Sequence, residues 1–297
     1  MTQTTSSTES SNLRVSQVKP RAFGPPSAGM LAAYLLIVLG ALFCLIPFWM
    51  MLVYGTQSAS EIFTMPPPLW FGDDFLENTK RLTETVPFWR NLWNSFYIAI
   101  LATTCTLFFC SLAGYAFAMY EFKYREVLFS IVMATMTIPA FLNIVPSYKM
   151  LNALGWLNHP IALWLPGTAG AFGIFLMRQY IGGTIPKDLL EAARIDGCDE
   201  FELYWRIVLP LSRPAMGTLG LVSFIGAWNN LQGSLIVMQS KETFTVQHAL
   251  NAMKGAYNTD WGGMFAGTLL AVVPLLILFV IFSKQLIEGL TAGSVKG

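Results

Sequence analysis

Residues 191–215 read EAARIDGCDEFELYWRIVLPLSRPA, the longest charged segment with a helical pattern in this 297-residue chain. The segment stands out because only 12% of the residues are charged and 54% are hydrophobic. A soluble domain usually carries about 25% charged residues. The composition is therefore typical of an integral membrane protein, and the net charge of +1 gives no indication of nucleic-acid binding.

Six runs without Asp, Glu, Lys or Arg surround this segment, four before it and two after it. Each is long enough to hold the roughly 20 apolar residues that cross a bilayer core of about 30 Å. The predicted spans are 31–54, 93–119, 127–148, 159–180, 214–238 and 262–283. The first is too long for a signal peptide and lacks a cleavage site, so we expect it to be retained. We predict an all-α integral membrane fold with six transmembrane helices.

The distribution of Lys and Arg predicts the orientation of these spans. With the N-terminus in the cytoplasm, twelve of the 18 basic residues lie inside and six lie outside, as the positive-inside rule requires. Both termini are then cytoplasmic, as is the segment 186–210 between spans four and five. Residues 1–29 are predicted to be a disordered cytoplasmic N-terminus. Residues 55–90 form an external loop with an interfacial helix near 75–83.

Local signals divide the segment 186–210 into two helices. Pro186 is tolerated at the start of the first helix, where its missing N–H has no partner. Gly197 fits the left-handed position that follows a helix. Asp199 followed by Glu202 resembles a capping box, which starts the second helix, and Pro210 is expected to end it. An ordinary structured loop on the bilayer surface is the alternative.

The second helix carries apolar side chains with the spacing of one helical face. The predicted stripe consists of Phe201, Tyr204, Trp205 and Val208. The predicted shape is therefore a helix, a glycine turn and a second amphipathic helix.

The spacing of the segment resembles that of a known family. Glu191-Ala192-Ala193, Gly197, Ile207 and Leu209-Pro210 follow the pattern E-A-A, three residues, G, nine residues, I-x-L-P. This pattern is similar to the signature of permease subunits in binding-protein-dependent bacterial ABC importers. The resemblance extends over about residues 30–297, and the C-terminal part is similar to the carbohydrate-uptake subfamily, in particular to the maltose-type second permease subunit.

The resemblance implies a transmembrane domain over 30–297 that is driven by a separate ATPase. The residues that would contact the ATPase are Glu191, Ala192, Ala193, Arg194, Asp196 and Gly197. Since the chain contains no GxxxxGK[ST] phosphate loop, we expect no enzymatic activity and no cofactor here, with ATP and Mg²⁺ on the ATPase. The implied partners are a second permease subunit in a heterodimer, two ATPase copies, a solute-binding protein and lipid, in the bacterial inner membrane.

Polar residues within the spans are candidates for a solute path. Asn143 lies between two prolines in span three, and Trp228, Asn229 and Asn230 lie in span five. A tryptophan ring stacks on a sugar face and amides bond its hydroxyls. Hydrogen bonding between helices is the alternative.

The external loop 239–261 resembles the loop that reaches into the binding protein's cleft. Its candidate contact residues are Lys254, Gly255, Ala256 and Tyr257, and a plain surface loop is the alternative. His159 and His248 have no second ligand at metal spacing, so we expect no metal site.

The leading hypothesis is an importer subunit that moves a sugar or oligosaccharide to the cytoplasm by alternating access. An acidic oligosaccharide such as alginate, or glycerol phosphate, is the alternative solute. A non-transporting scaffold or channel component is the alternative of a different class. A membrane-embedded enzyme is disfavoured because it would need ionisable residues within the spans, and the charge-free runs contain no Asp, Glu, Lys or Arg.

Overall fold

The computed structural model describes the backbone of residues 28–255 and 259–291, and side chains as far as residue 282. The regular secondary structure of this part of the chain is helical, apart from an isolated antiparallel bridge between Lys254 and Thr259. Two compact units are formed, residues 1–48 and 49–297. The described part of the first unit is the beginning of helix α1, and the second unit holds the other helices.

The helices follow one another along the chain, and the longest connection joins α1 to α2. They are α1 (Ala28–Gly55), α2 (Phe75–Thr85), α3 (Phe88–Met119), α4 (Arg125–Thr135), α5 (Ile144–Ala153), α6 (Ile161–Trp164), α7 (Ala171–Thr184), α8 (Lys187–Ile195), α9 (Glu200–Glu202), α10 (Leu209–Leu211), α11 (Arg213–Trp228), α12 (Leu231–Val237), α13 (Val246–Ala252) and α14 (Trp261–Thr291). A 3₁₀ turn, Ala140–Asn143, precedes α5, and a π-helix, Leu203–Val208, joins α9 to α10.

Three of the described helices, α1, α3 and α14, are long and apolar enough to cross a membrane alone. The 32 residues of α3 extend about 48 Å, well beyond a hydrocarbon core of about 30 Å. Two further helix pairs pass the same test together but bend by 93° and 78° at short breaks. The described residues therefore contain three to five spans by length and composition, and the count of six stays a prediction.

The predicted span 127–148 is broken rather than continuous. Helix α4 ends at Thr135, and α5 begins at Ile144 after a sharp bend. Pro139 lies in the break, where its ring and its missing N–H prevent a helix from continuing. Pro146 is tolerated because it lies in the first turn of α5, where no helical N–H bond is lost.

The predicted spans 159–180 and 214–238 are also interrupted. The first is divided into α6 and α7, and the 14 residues of α7 extend only about 21 Å. The second is divided into α11 and α12 at Asn229 and Asn230, and the Asn230 side chain caps α12 by accepting from the N–H of Gly233 at 2.9 Å. The remaining three predicted spans lie within α1, α3 and α14.

The central contact of the second unit joins α3 to α7. A Cβ atom added to Gly114 would lie 2.5 Å from Cβ of Met177 and 2.8 Å from the backbone N of Arg178. One added to Gly173 would lie 2.6 Å from Sγ of Cys110. Small residues in membrane proteins allow helices to approach this closely. The two glycines therefore set the separation of the two helices.

A second cluster lies where α11 packs against α3 and α14. Phe224 and Trp228 of α11 are buried there with Phe88 and Ala99 of α3 and with Val246 of α13. Helix α3 thus contributes to the cores on both of its sides.

We expect Gly114→Ala to lower the melting temperature of the purified protein in detergent. The new methyl group would overlap backbone atoms of α7, and overpacking of this kind costs about 1–3 kcal/mol. Melting followed by intrinsic fluorescence measures the change.

Gly182→Ala is the matched control, because a Cβ at Gly182 would meet only Ala118 Cβ, at 3.8 Å. Both substitutions gain helix propensity, so Gly182→Ala should leave the melting temperature unchanged or raise it. Equal melting temperatures for the two variants would contradict the close approach of α3 and α7.

Candidate functional site

The first helix of the segment, α8, ends in a Schellman motif at Gly197. The φ angle of Gly197 is +93°, in the left-handed region that favours glycine. Its N–H donates to the carbonyl of Arg194 at 3.1 Å, and the N–H of Cys198 donates to that of Ala193 at 3.0 Å. Both hydrogen bonds satisfy carbonyls that the helix end leaves without partners. The predicted left-handed position is confirmed.

The second helix begins where the sequence predicts but ends later. The Asp199 side chain caps it by accepting from the backbone N–H of Glu202 at 2.8 Å. Pro210 was expected to end the helix, but the helical path continues through Leu211. The π-helix, which ends at Val208, widens the helix just before Pro210, and this accommodates the proline ring and its missing N–H.

The predicted apolar stripe is wrong at two of its four positions. Tyr204 and Val208 are buried together with Leu203, whereas Phe201 is 69% exposed and Trp205 is also exposed. A π-helix, whose hydrogen bonds span five residues, begins at Leu203, so the period of 3.6 on which the prediction rests does not hold from there on. An aromatic surface consequently remains on the segment.

The predicted ATPase-contact residues are mostly at the surface. The exposed ones are Glu191, Ala192, Arg194, Asp196 and Gly197. Ala193 is only 9% exposed and packs in the core with Leu190 and Leu203, so it faces inward. Ile195, which sequence analysis did not single out, is 87% exposed. The sequence does contain a signal for Ile195, since it is an apolar residue among charged neighbours just before the glycine turn.

Polar contacts hold the segment and its surroundings against neighbouring helices. The hydroxyl groups of Tyr204 and Ser111, on α3, are 2.7 Å apart. Arg178, in the middle of α7, donates to the carboxylate of Glu126 at 2.9 Å, and its guanidinium lies 3.8 Å from the ring centroid of Phe129. These contacts tie the segment to α3, and α7 to α4.

The structure brings together two residues predicted separately for the solute path. Asn143, before α5, and Asn230, before α12, line one cavity of about 290 Å³. Ser147, Tyr148 and Gln232 line the same cavity, so amide and hydroxyl groups converge there. The sequence placed Asn143 and Asn230 in different spans and gave no sign that they meet. The cavity can offer hydrogen-bond donors and acceptors to a polar solute.

Trp228 and Asn229 have different surroundings. Trp228 is 1% exposed, and its ring stacks on that of Phe224 with centroids 5.7 Å apart. Its face is therefore closed to a solute in this structure. Asn229 is exposed, and its side-chain oxygen accepts from Nε2 of Gln247 at 3.3 Å, which links the end of α11 to α13.

The loop 239–261, which the sequence predicts to be external, is held at the N-terminal end of α3. The side-chain amide of Asn91 donates to the carbonyls of Lys241 and Phe244 at 2.7 and 3.1 Å. That of Asn94 donates to the carbonyl of Glu242 at 2.8 Å. The side-chain amides of α3 thus satisfy backbone carbonyls of the loop, which has no regular backbone hydrogen bonding of its own here. The first half of the loop therefore has a fixed path across α3.

The second half of the loop contains α13 and the bridge. His248 of α13 is buried against Ser234, with Nδ1 and Oγ 3.1 Å apart, and burial lowers the pKa of His248. The predicted contact residues Lys254 and Gly255 lie at the bridge, and Ala256 and Tyr257 lie outside the described residues.

An ion pair fixes the end of the loop. Asp260 accepts from Nε of Arg81 on α2 at 3.2 Å. The loop is therefore tied to the rest of the second unit at both ends.

Comparison with known proteins identifies the family. Residues 110–290 match the family described as "binding-protein-dependent transport system inner membrane component". The arabinooligosaccharides transport system permease protein AraQ of Bacillus subtilis (strain 168) is 36% identical over 210 residues, which cover 71% of this chain and 74% of AraQ. The lactose transport system permease protein LacG of Rhizobium radiobacter is 32% identical over 263 residues, which cover 89% and 95% of the two chains.

A solved structure shows the same fold. The crystal structure of a bacterial ABC transporter involved in the import of the acidic polysaccharide alginate contains a chain with a TM-score of 0.75 and 21% identity. The match covers 89% of this chain and 99% of that one. With the family match and the two relatives, it follows that this chain belongs to the family of binding-protein-dependent transport system inner membrane components.

Proposed function

We propose that this chain is the permease subunit of an ATP-driven importer that moves a sugar or oligosaccharide into the cytoplasm by alternating access. The proposal is carried by the two-helix segment, which presents the E-A-A…G surface between membrane helices. A permease of a binding-protein-dependent system works with a solute-binding protein and a separate ATPase in the inner membrane. The names of AraQ and LacG support a carbohydrate as the solute.

The ATPase contact is assigned to the exposed face of α8 and its glycine turn. Glu191, Arg194 and Asp196 supply charges for a polar cleft, and Ala192 and Gly197 permit close approach. Ile195 adds an exposed apolar side chain, whose burial by a partner would contribute about 1.5–3 kcal/mol. Ala193 lies on the opposite, buried side of α8 and packs it against the core. ATP and Mg²⁺ belong to the partner, in two copies that drive a heterodimer of this chain and a second permease.

The solute path is assigned to the cavity that contains Asn143 and Asn230. Amides and hydroxyls can donate and accept, which suits the hydroxyl groups of a sugar. Asn229 lies next to this region and contacts the external loop. Trp228 packs within the helix bundle next to the path and does not offer its ring to the solute.

The external loop is assigned to the binding protein. Its anchoring by Asn91, Asn94 and Arg81 favours a fixed projection at Lys254 and Gly255. We propose that the N-terminal end of α3 lies outside and the segment inside, with both termini in the cytoplasm, an orientation that the distribution of basic residues favours.

Gly197→Leu should abolish or strongly reduce ATP-dependent uptake of a test sugar while the protein remains in the membrane. A side chain at a φ of +93° is strained by about 1–2 kcal/mol and would project from the assigned ATPase contact. Uptake of radiolabelled arabinotriose and lactose into proteoliposomes with the complete transporter measures the effect.

Gly155→Leu is the matched control, because Gly155 also has a positive φ, +70°, and open space around it, but lies between α5 and α6. It should impose similar strain and leave uptake near the wild-type level. Equal uptake by the two variants would count against the assigned contact.

Asn143→Leu should raise the KM for the transported sugar roughly 2- to 10-fold, because it removes a hydrogen bond worth about 0.5–1.5 kcal/mol. Initial uptake rates over a range of sugar concentrations give this value. Asn152→Leu makes the same change on α5 outside the cavity and should leave the KM unchanged. The path assignment fails if both variants have the wild-type KM.

A further inference from the structure

A carboxylate in the segment connects its two helices. Glu200, at the start of α9, accepts from Nε of Arg194 on α8, with Oε1 and Nε 2.9 Å apart. The two residues lie on opposite sides of the Gly197 turn, so the ion pair bridges the turn. The Arg194 guanidinium, which donates to Glu200, lowers the pKa of this carboxyl below its ordinary value, and Glu200 is therefore ionised at neutral pH.

The same carboxylate also reaches the C-terminal end of α3. Its Oε2 atom accepts from the hydroxyl of Tyr120 and, at 3.4 Å, from that of Tyr115. The two hydroxyls are themselves 3.1 Å apart. In addition, the Arg194 guanidinium lies 5.8 Å from the ring centroid of Tyr120, within the range of a cation–π contact. One acidic group thus joins α8, α9 and α3.

The ion pair alone contributes little stability, because the Arg194 and Glu200 side chains are 38% and 54% exposed. Its importance is that hydrogen bonds to Glu200 are directional. Most of the remaining contact between the segment and α3 is apolar, and apolar contacts are non-directional. Hydrogen bonds to a charged acceptor fix distance and angle, so Glu200, together with the Tyr204–Ser111 hydroxyl pair, constrains how the segment is oriented on α3.

We propose that Glu200 is a positioning residue that fixes the ATPase-contact helix α8 to α3, so that a displacement of α8 is transmitted to the membrane helices. The displacement would pass from α3 to α7 through the close contact at Gly114. Rigid elements with directional contacts transmit movement as a body, whereas a loosened joint absorbs it. This inference rests on the proposed function of the segment as the ATPase contact.

The test compares Glu200→Gln with wild type in the complete transporter, reconstituted in proteoliposomes with its ATPase and binding protein. The amount of radiolabelled arabinotriose or lactose imported is divided by the ATP hydrolysed in the same sample. Glutamine keeps the shape of the side chain but loses the charge that orders its donors. We expect the sugar imported per ATP to fall several-fold, while the complex assembles and still hydrolyses ATP.

Glu202→Gln is the matched control, two residues further along. Glu202 pairs with Arg206, four residues on in the same segment, and its loss should leave the sugar imported per ATP unchanged. Tyr120→Phe removes a hydroxyl from the network but keeps the ring, and it should lower this ratio in the same direction. Combined with Glu200→Gln, it should add little, because both remove the same interaction.

A wild-type ratio in Glu200→Gln would overturn the inference. A second pair of results would also overturn it: Glu200→Gln does not assemble, and Tyr120→Phe imports as much sugar per ATP as wild type. Glu200 would then serve assembly alone. A wild-type complex that hydrolyses ATP but imports neither these two sugars nor any other sugar or oligosaccharide offered to it would overturn the proposed function itself. That outcome is distinct because it occurs without any substitution.

Discussion

The close contact between α3 and α7 is the constraint on which the rest of the structure depends. Gly114 allows the two backbones to approach, and no side chain larger than hydrogen fits there without a shift of α7. With this contact in place, α3 carries loop anchors near its beginning, at Asn91, and segment anchors near its end, at Tyr115. These positions are about 36 Å apart along a straight helix. One rigid element therefore spans both candidate sites.

The local features of the segment could be predicted because capping depends on nearby residues. Gly197 and Asp199 carry their signals within one or two turns, and the structure uses both as expected. The membrane class followed from composition. The helix breaks near Pro139 and Asn230 were harder to predict from the sequence. A hydropathy pattern gives the length of an apolar stretch but does not show where the backbone bends within it. The π-helix altered which aromatic residues are buried, and no sequence period of 3.6 could have revealed it.

The candidate site for the solute needed tertiary structure. Asn143 and Asn230 were noticed as polar residues in apolar surroundings, but their meeting in one cavity depends on two helix breaks. Trp228 illustrates the opposite case, because an aromatic residue beside amides proved to be a buried packing element. A solute in this cavity would meet a mostly apolar lining with a few amides and hydroxyls, from Asn143, Ser147, Tyr148, Asn230 and Gln232, and hydrogen bonds to these few groups would orient it.

The π-helix at Leu203–Val208 has a consequence for which length changes the protein tolerates. Each residue advances an α-helix by about 100°, and the π-helix already holds a wider turn, so adding one residue here would rotate all that follows relative to what precedes it. Connections between membrane helices usually accept insertions and deletions. In this connection, one inserted residue would turn the inward faces of α11 away from α3, although every individual side chain was kept. Its length is therefore as constrained as its composition.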